Sequence, residues 1–346
     1  MTGQFLRTLG TFTAVAAALL PAVASAQEAA TPGHPVPGQI GLQPSVTPIM
    51  DSIHAFHDGI LLWTAVLITL LVLALLVVVI VRFNAKRNPV PSSTTHNTLV
   101  EIVWTVAPIL VLVVIAIPSF SVLTDQLTMP DGERKYLGSN IFSFGEQDVP
   151  APAFTIKATG VQWNWEYEYH VPTPAAAAAG ADGGTEAAAT PTPAEGAEAP
   201  AAGTAAVEAA PTEAIATFSS FMLNEEQRTA SKPNQPRLLA VDNEVVVPVN
   251  TTVRVQVTSA PDGVIHAFAV PSFGIKVDAV PGKLNETWFN ARKEGIYYGQ
   301  CSELCGKDHA FMPIAVRVVS QEQFDLWWKT LQAGFPDDAN ATLPPL

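Results

Sequence analysis

Two cysteines, Cys301 and Cys305, are all that the 346 residues contain. So few exclude a disulfide framework and a Cys-x-x-Cys-His haem attachment. Bases are scarce as well: 18 Lys and Arg stand against 31 Asp and Glu, for a net charge of −13. The imbalance is local. Residues 1–124 hold four acids and four bases, whereas residues 125–346 hold 27 acids and 14 bases. An acidic soluble portion disfavours nucleic acid as a partner. It favours a basic protein through long-range steering, although acidity alone also serves solubility.

What the chain does have is concentrated near its end. Both cysteines, a histidine and a methionine fall within Cys-Ser-Glu-Leu-Cys-Gly-Lys-Asp-His-Ala-Phe-Met, residues 301–312. Thiolate, imidazole and thioether are soft ligands that select copper over calcium, magnesium or manganese. A blue-copper site uses a single thiolate with two His and a weak Met, so one such copper leaves a sulfur over, while two coppers bridged by both sulfurs use every donor. Zinc sites normally repeat a Cys pair or add two nearby His, and Met is a poor zinc ligand. A second histidine is offered by Val-Ile-His-Ala-Phe-Ala-Val-Pro as His266. The competing reading is a Cys301–Cys305 disulfide, common in exported domains; it leaves His266, His309 and Met312 without a purpose.

The N-terminal half reads as a targeting signal and an anchor. Arg7, the apolar Leu9–Leu20 and the small-residue Ala24-Ser25-Ala26 have the order of a secretory signal over 1–26, with a mature chain starting at Gln27. A Pro/Gly-rich leader, 27–59, follows. Two apolar runs, 60–83 and 102–123, are each long enough to cross roughly 30 Å of hydrocarbon as a helix. Pro108 and Pro118 in the second are tolerable in a membrane helix. The loop between the runs holds Arg82, Lys86 and Arg87 and no acid, which places it in the cytoplasm. Both ends of the mature chain then lie outside, in the periplasm if the cell has one. His54 and His57, just before the first run, read as polar residues at the membrane interface.

From Phe154 the period changes to two. Val161, Trp163, Trp165, Tyr167 and Tyr169 alternate with Gln162, Asn164, Glu166 and Glu168, a strand pattern. Further strands are expected at Arg237–Pro248, Thr251–Thr258, Gly263–Val270, Glu286–Phe289, Ile296–Gln300 and Pro313–Val319. Many short strands separated by Pro, Gly and Asn argue for an antiparallel sandwich or barrel. Ser320-Gln-Glu-Gln323 is a capping-box signal for a helix ending near Gln332, before a tail at 334–346. Residues 172–216 are nearly all Ala, Pro, Gly, Thr and acid, with six acids and no base. Such a segment cannot bury enough apolar surface to offset its ordering entropy, so a disordered insertion is expected there.

The two ligand segments together resemble cytochrome c oxidase subunit II, the CuA-containing subunit of bacterial aa3-type haem-copper oxidases, over Ser45 to Leu331 apart from the insertion. The resemblance implies a two-helix transmembrane hairpin (60–124) carrying an all-β, Greek-key cupredoxin-like barrel (125–171 and 217–333). It also implies two copper ions in a dinuclear CuA centre: Cys301 and Cys305 bridging, His266 and His309 capping, Met312 a weak ligand and Glu303 giving its carbonyl. The Glu303 side chain would serve a magnesium shared with subunit I, with Lys276 and Asp278 facing that subunit. Trp163, in Gln-Trp-x-Trp-x-Tyr-Glu-Tyr, would be where electrons enter, and Glu101 would stand at the mouth of a proton path. Glu168, Asp242 and Asp262 match acidic positions that dock the donor. The implied activity is that of the electron-accepting subunit of a proton-translocating cytochrome c oxidase in the bacterial inner membrane. A c-type cytochrome would be the donor, and a haem-bearing subunit I would reduce O2 to water. A membrane-tethered copper carrier shares the ligands but not the partners; a quinol-oxidase subunit would lack the ligands, and nitrous oxide reductase would need a propeller-length chain.

Overall fold

The structure, a computed structural model, describes residues 33–90, 92–133, 135–136, 147–173 and 213–344. The expected signal at 1–26 and nearly all of the insertion lie outside the described residues. Helix α1 (Pro48–His54) starts at Thr47, whose hydroxyl accepts from the Met50 N–H and donates to the Phe273 carbonyl at 2.7 Å. It runs through a π-helical stretch, Ala55–Leu61, into α2 (Leu62–Arg82). Helix α3 (Thr98–Leu127) carries Pro108 and Pro118 without interruption. The apolar stretches of α2 and α3 are exposed on every face, and only the last turns of α3, from Pro118 to Asp125, have residues buried against the rest of the chain, the pattern of a span that meets lipid. The first helical run begins earlier than expected, at Pro48, because Thr47-Pro48 is a helix start (a cap followed by Pro at N1).

The β-domain is built from β1 (Lys135–Tyr136) and β2 (Gln147–Asp148), a short pair, and ten further strands. These are β3 (Phe154–Val161), β4 (Asn164–Pro172), β5 (Glu213–Ser220), β6 (Val245–Pro248) and β7 (Thr252–Ser259), followed by β8 (His266–Val270), β9 (Ile275–Ala279), β10 (Asn285–Asn290), β11 (Gly295–Cys301) and β12 (Pro313–Val319). Two five-stranded sheets result, ordered β10-β7-β3-β4-β5 and β6-β12-β11-β8-β9. The sequences of β3 and β4 alternate inward and outward, so Phe154, Ile156 and Ala158 of β3 and Trp165, Tyr167 and Tyr169 of β4 face the opposite sheet, whereas β6, β8 and β12 are buried throughout. The Tyr169 hydroxyl donates to the Val246 carbonyl at 2.9 Å and ties the layers together. Helix α4 (Glu225–Ser231) sits on a connection, α5 (Gln321–Gln332) packs Phe324, Trp327 and Leu331 into the core, and α6 (Pro336–Ala341) follows.

The architecture is the expected one, a helical pair followed by a Greek-key, cupredoxin-like double sheet, with specific departures. The sandwich is not wholly antiparallel: β3 runs parallel to β7, and β6 to β12. Parallel neighbours need long crossovers, which local periodicity does not reveal. The strand expected at Arg237–Pro248 is confined to Val245–Pro248; before it, Leu238 at φ 67° turns the chain in a left-handed conformation. The single strand expected through Val161–Tyr169 is a hairpin, with Val161 paired to Asn164 across a turn at Gln162 and Trp163. The inward residues are even-numbered in β3 and odd-numbered in β4, so the phase shifts by one at the turn; Val161, apolar but on the outer face, and Trp163 in the turn hide that shift in the sequence.

The anchor meets the barrel at the lower end of α3. The Trp288 indole N–H donates to the Asp125 carbonyl at 3.0 Å, and the Gln126 amide donates to Gly274 O at 3.1 Å.

Candidate metal centre

Two antiparallel neighbours bring the ligand segments to one end of the sandwich. Cys301 at the end of β11 lies opposite Phe268, so His266 at the start of β8 is beside it. The Ser302 N–H donates to Ala267 O at 3.2 Å, and Gln300 pairs with Pro313, which closes the intervening loop at its base. Within the loop, a 3-10 turn at His309–Phe311 returns His309 and Met312 to the cysteines.

The donor atoms converge. Cys301 Sγ lies 3.8 Å from Cys305 Sγ, 3.7 Å from His266 Nδ1 and 3.3 Å from the Glu303 carbonyl oxygen. Cys305 Sγ lies 3.5 Å from His309 Nδ1 and 3.5 Å from Met312 Sδ. Both cysteines are free thiols, which removes the disulfide reading: bonded sulfurs would stand about 2.05 Å apart. At 3.8 Å a single metal can still reach both sulfurs, because metal–thiolate bonds are about 2.3 Å. Each histidine turns Nδ1 to a different sulfur, and each sulfur has one further soft or carbonyl donor. The set fits copper in chemistry and in spacing.

The surroundings are dry. His266, Cys301, Cys305 and Met312 are buried. Burial, and then the adjacent Cys301 thiol, pushes the Cys305 thiol up to about 12. Burial and the charge of His309 hold His266 below its ordinary value, and its Nε2 is buried without a hydrogen-bond partner. A metal that claims these sulfurs therefore has to displace protons.

A second ring of contacts fixes the ligands. The Gln162 amide and the Trp163 indole N–H both donate to the Cys305 carbonyl, at 2.9 and 3.2 Å. The Trp165 indole donates to Met312 O at 3.2 Å. A β-carbon at Gly160 would stand 2.9 Å from the His266 ring, and one at Gly306, where φ is 126°, would stand 2.9 Å from the Trp163 ring. Gln162, Gly160 and Gly306 are contributors that sequence reasoning missed. The last two had only their identity as glycines to mark them.

The other sequence candidates are scattered. Glu303 brings its carbonyl to the sulfur while its side chain is exposed. Asp262 is exposed in the loop before His266. Asp242 is drawn inward, its Oδ1 accepting from the Phe221 and Asn243 N–H groups, and burial raises its carboxyl. Glu168 lies along β4, between Lys157 at 3.5 Å and His170 at 2.6 Å. Glu101 is far along the chain in the first turn of α3, where its Oε1 accepts from Asn97 N–H at 3.1 Å. Lys276 and Asp278 line a shallow cavity with Leu127 and Glu286.

Comparison with known proteins gives this geometry a family. The model for "Cytochrome C oxidase subunit II, periplasmic domain" matches residues 207–319, and that for the "transmembrane domain" of the same subunit matches residues 35–122. A probable cytochrome c oxidase subunit 2 of Rickettsia bellii is 42% identical over 293 residues, which is 85% of this chain and 84% of that one. The chain belongs to the cytochrome c oxidase subunit II family. Cytochrome c oxidase subunit 2 of Cereibacter sphaeroides is 38% identical over 337 residues, 92% of this chain and 90% of that one. A solved structure of the periplasmic domain of subunit II of cytochrome oxidase from Bradyrhizobium japonicum is 46% identical. It covers 54% of this chain and 99% of that one, with a TM-score of 0.37. As a subunit II, the chain is a component of an oxidoreductase complex, it carries transmembrane helices, and its β-domain is the family's copper-binding CuA domain.

Proposed function

We propose that this subunit II accepts electrons one at a time from a c-type cytochrome and delivers them to haem in subunit I, where O2 is reduced to water. The observation that carries the reading is the convergence of two thiols, two imidazole Nδ1 atoms, a thioether and a carbonyl on one buried spot. Cys301 and Cys305 would hold two copper ions between them, with His266 and His309 at either side, Met312 and the Glu303 carbonyl completing the set. Bound there, a copper pair supplies a one-electron store whose charge is shared over two thiolates.

The chain's own residues do the rest. Cys301 is fixed at the end of β11, and Cys305 in the loop is held through its carbonyl by Gln162 and Trp163, so the ligands need little rearrangement when charge changes. Trp163 lies between the surface and the Cys305 carbonyl that it donates to, a position suited to receiving the electron. Burial excludes water and, with the Gln162 and Trp165 hydrogen bonds, tunes the potential. The exposed Glu303 side chain is assigned to a magnesium shared with subunit I, and Lys276 and Asp278 to the face toward that subunit. Glu101 is assigned to the mouth of the proton path, and Glu168, Asp242 and Asp262 to docking. The β-domain would lie in the periplasm and the helices in the inner membrane after cleavage of residues 1–26.

Stopped-flow reduction of the intact oxidase by a reduced c-type cytochrome tests this. Trp163→Phe should slow the first electron transfer while leaving copper content and absorption unchanged. An unaltered rate removes the role of Trp163, and no reduction of the wild-type protein removes the function.

A further inference from the structure

The ligand loop carries one charge that the metal chemistry does not use. The Lys307 ammonium lies 5.4 Å from the centre of the Trp163 ring. Its side chain is 76% exposed and has Asp308 as its near carboxylate, at 3.7 Å. The placement is imposed by the residue before it: Gly306, at φ 126°, presses its backbone on the Trp163 ring with no room for a side chain. Attraction between the ammonium and the ring face holds the charge over the indole.

The adjoining loops carry acids and apolar side chains, with Lys232 bonded to the Asp242 carbonyl at 2.9 Å. Asp242 is bonded to Phe221, next to Ser220, which pairs with Trp165 two residues from Trp163. Asp262 lies in the loop whose Ala260 N–H donates to Gly160 O, two residues before Gln162. Val264, Ile265, Leu304 and Phe311 are exposed in the same loops. Lys307, exposed and paired with Asp308, therefore stands over Trp163 with the exposed Asp262 and apolar side chains in the adjoining loops.

We propose that Lys307 determines which donor this subunit accepts, an inference that rests on the proposed function. A cytochrome with a lysine at the Trp163 contact meets a like charge in a closing interface. One that keeps its lysines for the rim and offers a carbonyl or carboxylate at the centre does not. Specificity of this kind is built by repulsion as much as by attraction, and it acts on the association rate.

The test uses the intact oxidase with wild-type, K307R, K307Q and K307E subunit II. Two probes are used at low ionic strength: a lysine-rich cytochrome c, and the same cytochrome with its surface lysines succinylated. K307E should raise the second-order rate constant with the basic probe by about fivefold or more and lower it with the succinylated one, a unit charge at contact in water being worth about that factor. K307Q should lie between, K307R should match wild type, and all differences should shrink towards 1 M salt, where the Debye length is about 3 Å. Equal rates for wild type and K307E with both probes overturn the proposal, as does loss of copper from every variant, which would make Lys307 part of the metal site. If neither probe reduces the wild-type oxidase at any salt, it is the proposed function that fails.

Discussion

Gly160 leaves the space of a β-carbon to the imidazole of His266, whose ring carbons would otherwise be 2.9 Å away. Neither partner can yield easily, because Gly160 is held in β3 between two strands and His266 is fully buried. Gly160→Ala should therefore turn the ring and weaken copper binding by about ten- to a hundredfold, the usual cost of disturbing a ligand's support. Competition with a chelator measures it, with thermal unfolding of the metal-free protein as the control. Away from the metal, Glu244 is buried against Arg317 and Lys232. Burial alone would raise its carboxyl, but the two cations outweigh burial and hold it below the ordinary value. A carboxyl depressed on folding contributes stability above its unfolded value and loses it as pH falls through the folded one. Unfolding temperatures taken from pH 7 down to pH 3 should show this acid-side loss in the wild type and a flatter profile in Glu244→Gln. At neutral pH the variant should be about 3–5 kcal/mol less stable, since Arg317 is left buried without its counter-charge. The side chains that converge at the candidate centre were legible in the sequence because soft donors are rare and stood together. Gln162 was not, since a glutamine beside a tryptophan in an alternating run looks like any outward-facing residue.

At the scale of elements, the most informative junction is the one between β4 and β5. Pro172 and Glu213 are register partners in an antiparallel pair, so the two strands are already adjacent where the insertion leaves and rejoins them. Replacing residues 174–211 with a short hairpin turn should preserve folding and copper content, changing the unfolding temperature by only a few degrees. Circular dichroism and metal analysis check this, and loss of copper would mean that the segment supports the site. Short apolar runs between turn signals were legible almost to the residue, Pro313–Val319, buried along its whole length, among them. The turn at Gln162–Trp163 was not, because Val161 and Trp163 are apolar out of phase with β3 and so mimic a strand running on into β4. Helix α4 escaped notice although Asn224 and Gln227 form a complete capping box; with no buried residue on it, the helix has no apolar stripe to announce it. The parallel pairing of β3 with β7 depends on contacts about a hundred residues apart, beyond the reach of local pattern.

For the whole molecule, acid and apolar surface are segregated by position in the chain. The helices are apolar and nearly uncharged, and the acidic excess lies in residues 125–346. The candidate centre sits at the end of the sandwich where the β3–β4 turn and the ligand loop meet, with Trp163 of that turn donating to the Cys305 carbonyl. This arrangement depends on what the two sulfurs, 3.8 Å apart, hold in common. The most direct measurement is electron paramagnetic resonance of the oxidised full-length protein, with copper counted on the same sample. Two coppers per chain, and a spectrum of one unpaired electron shared equally by two copper nuclei, are the expected result. A single copper with the hyperfine pattern of one nucleus, or a zinc ion in the same ligands, would contradict it.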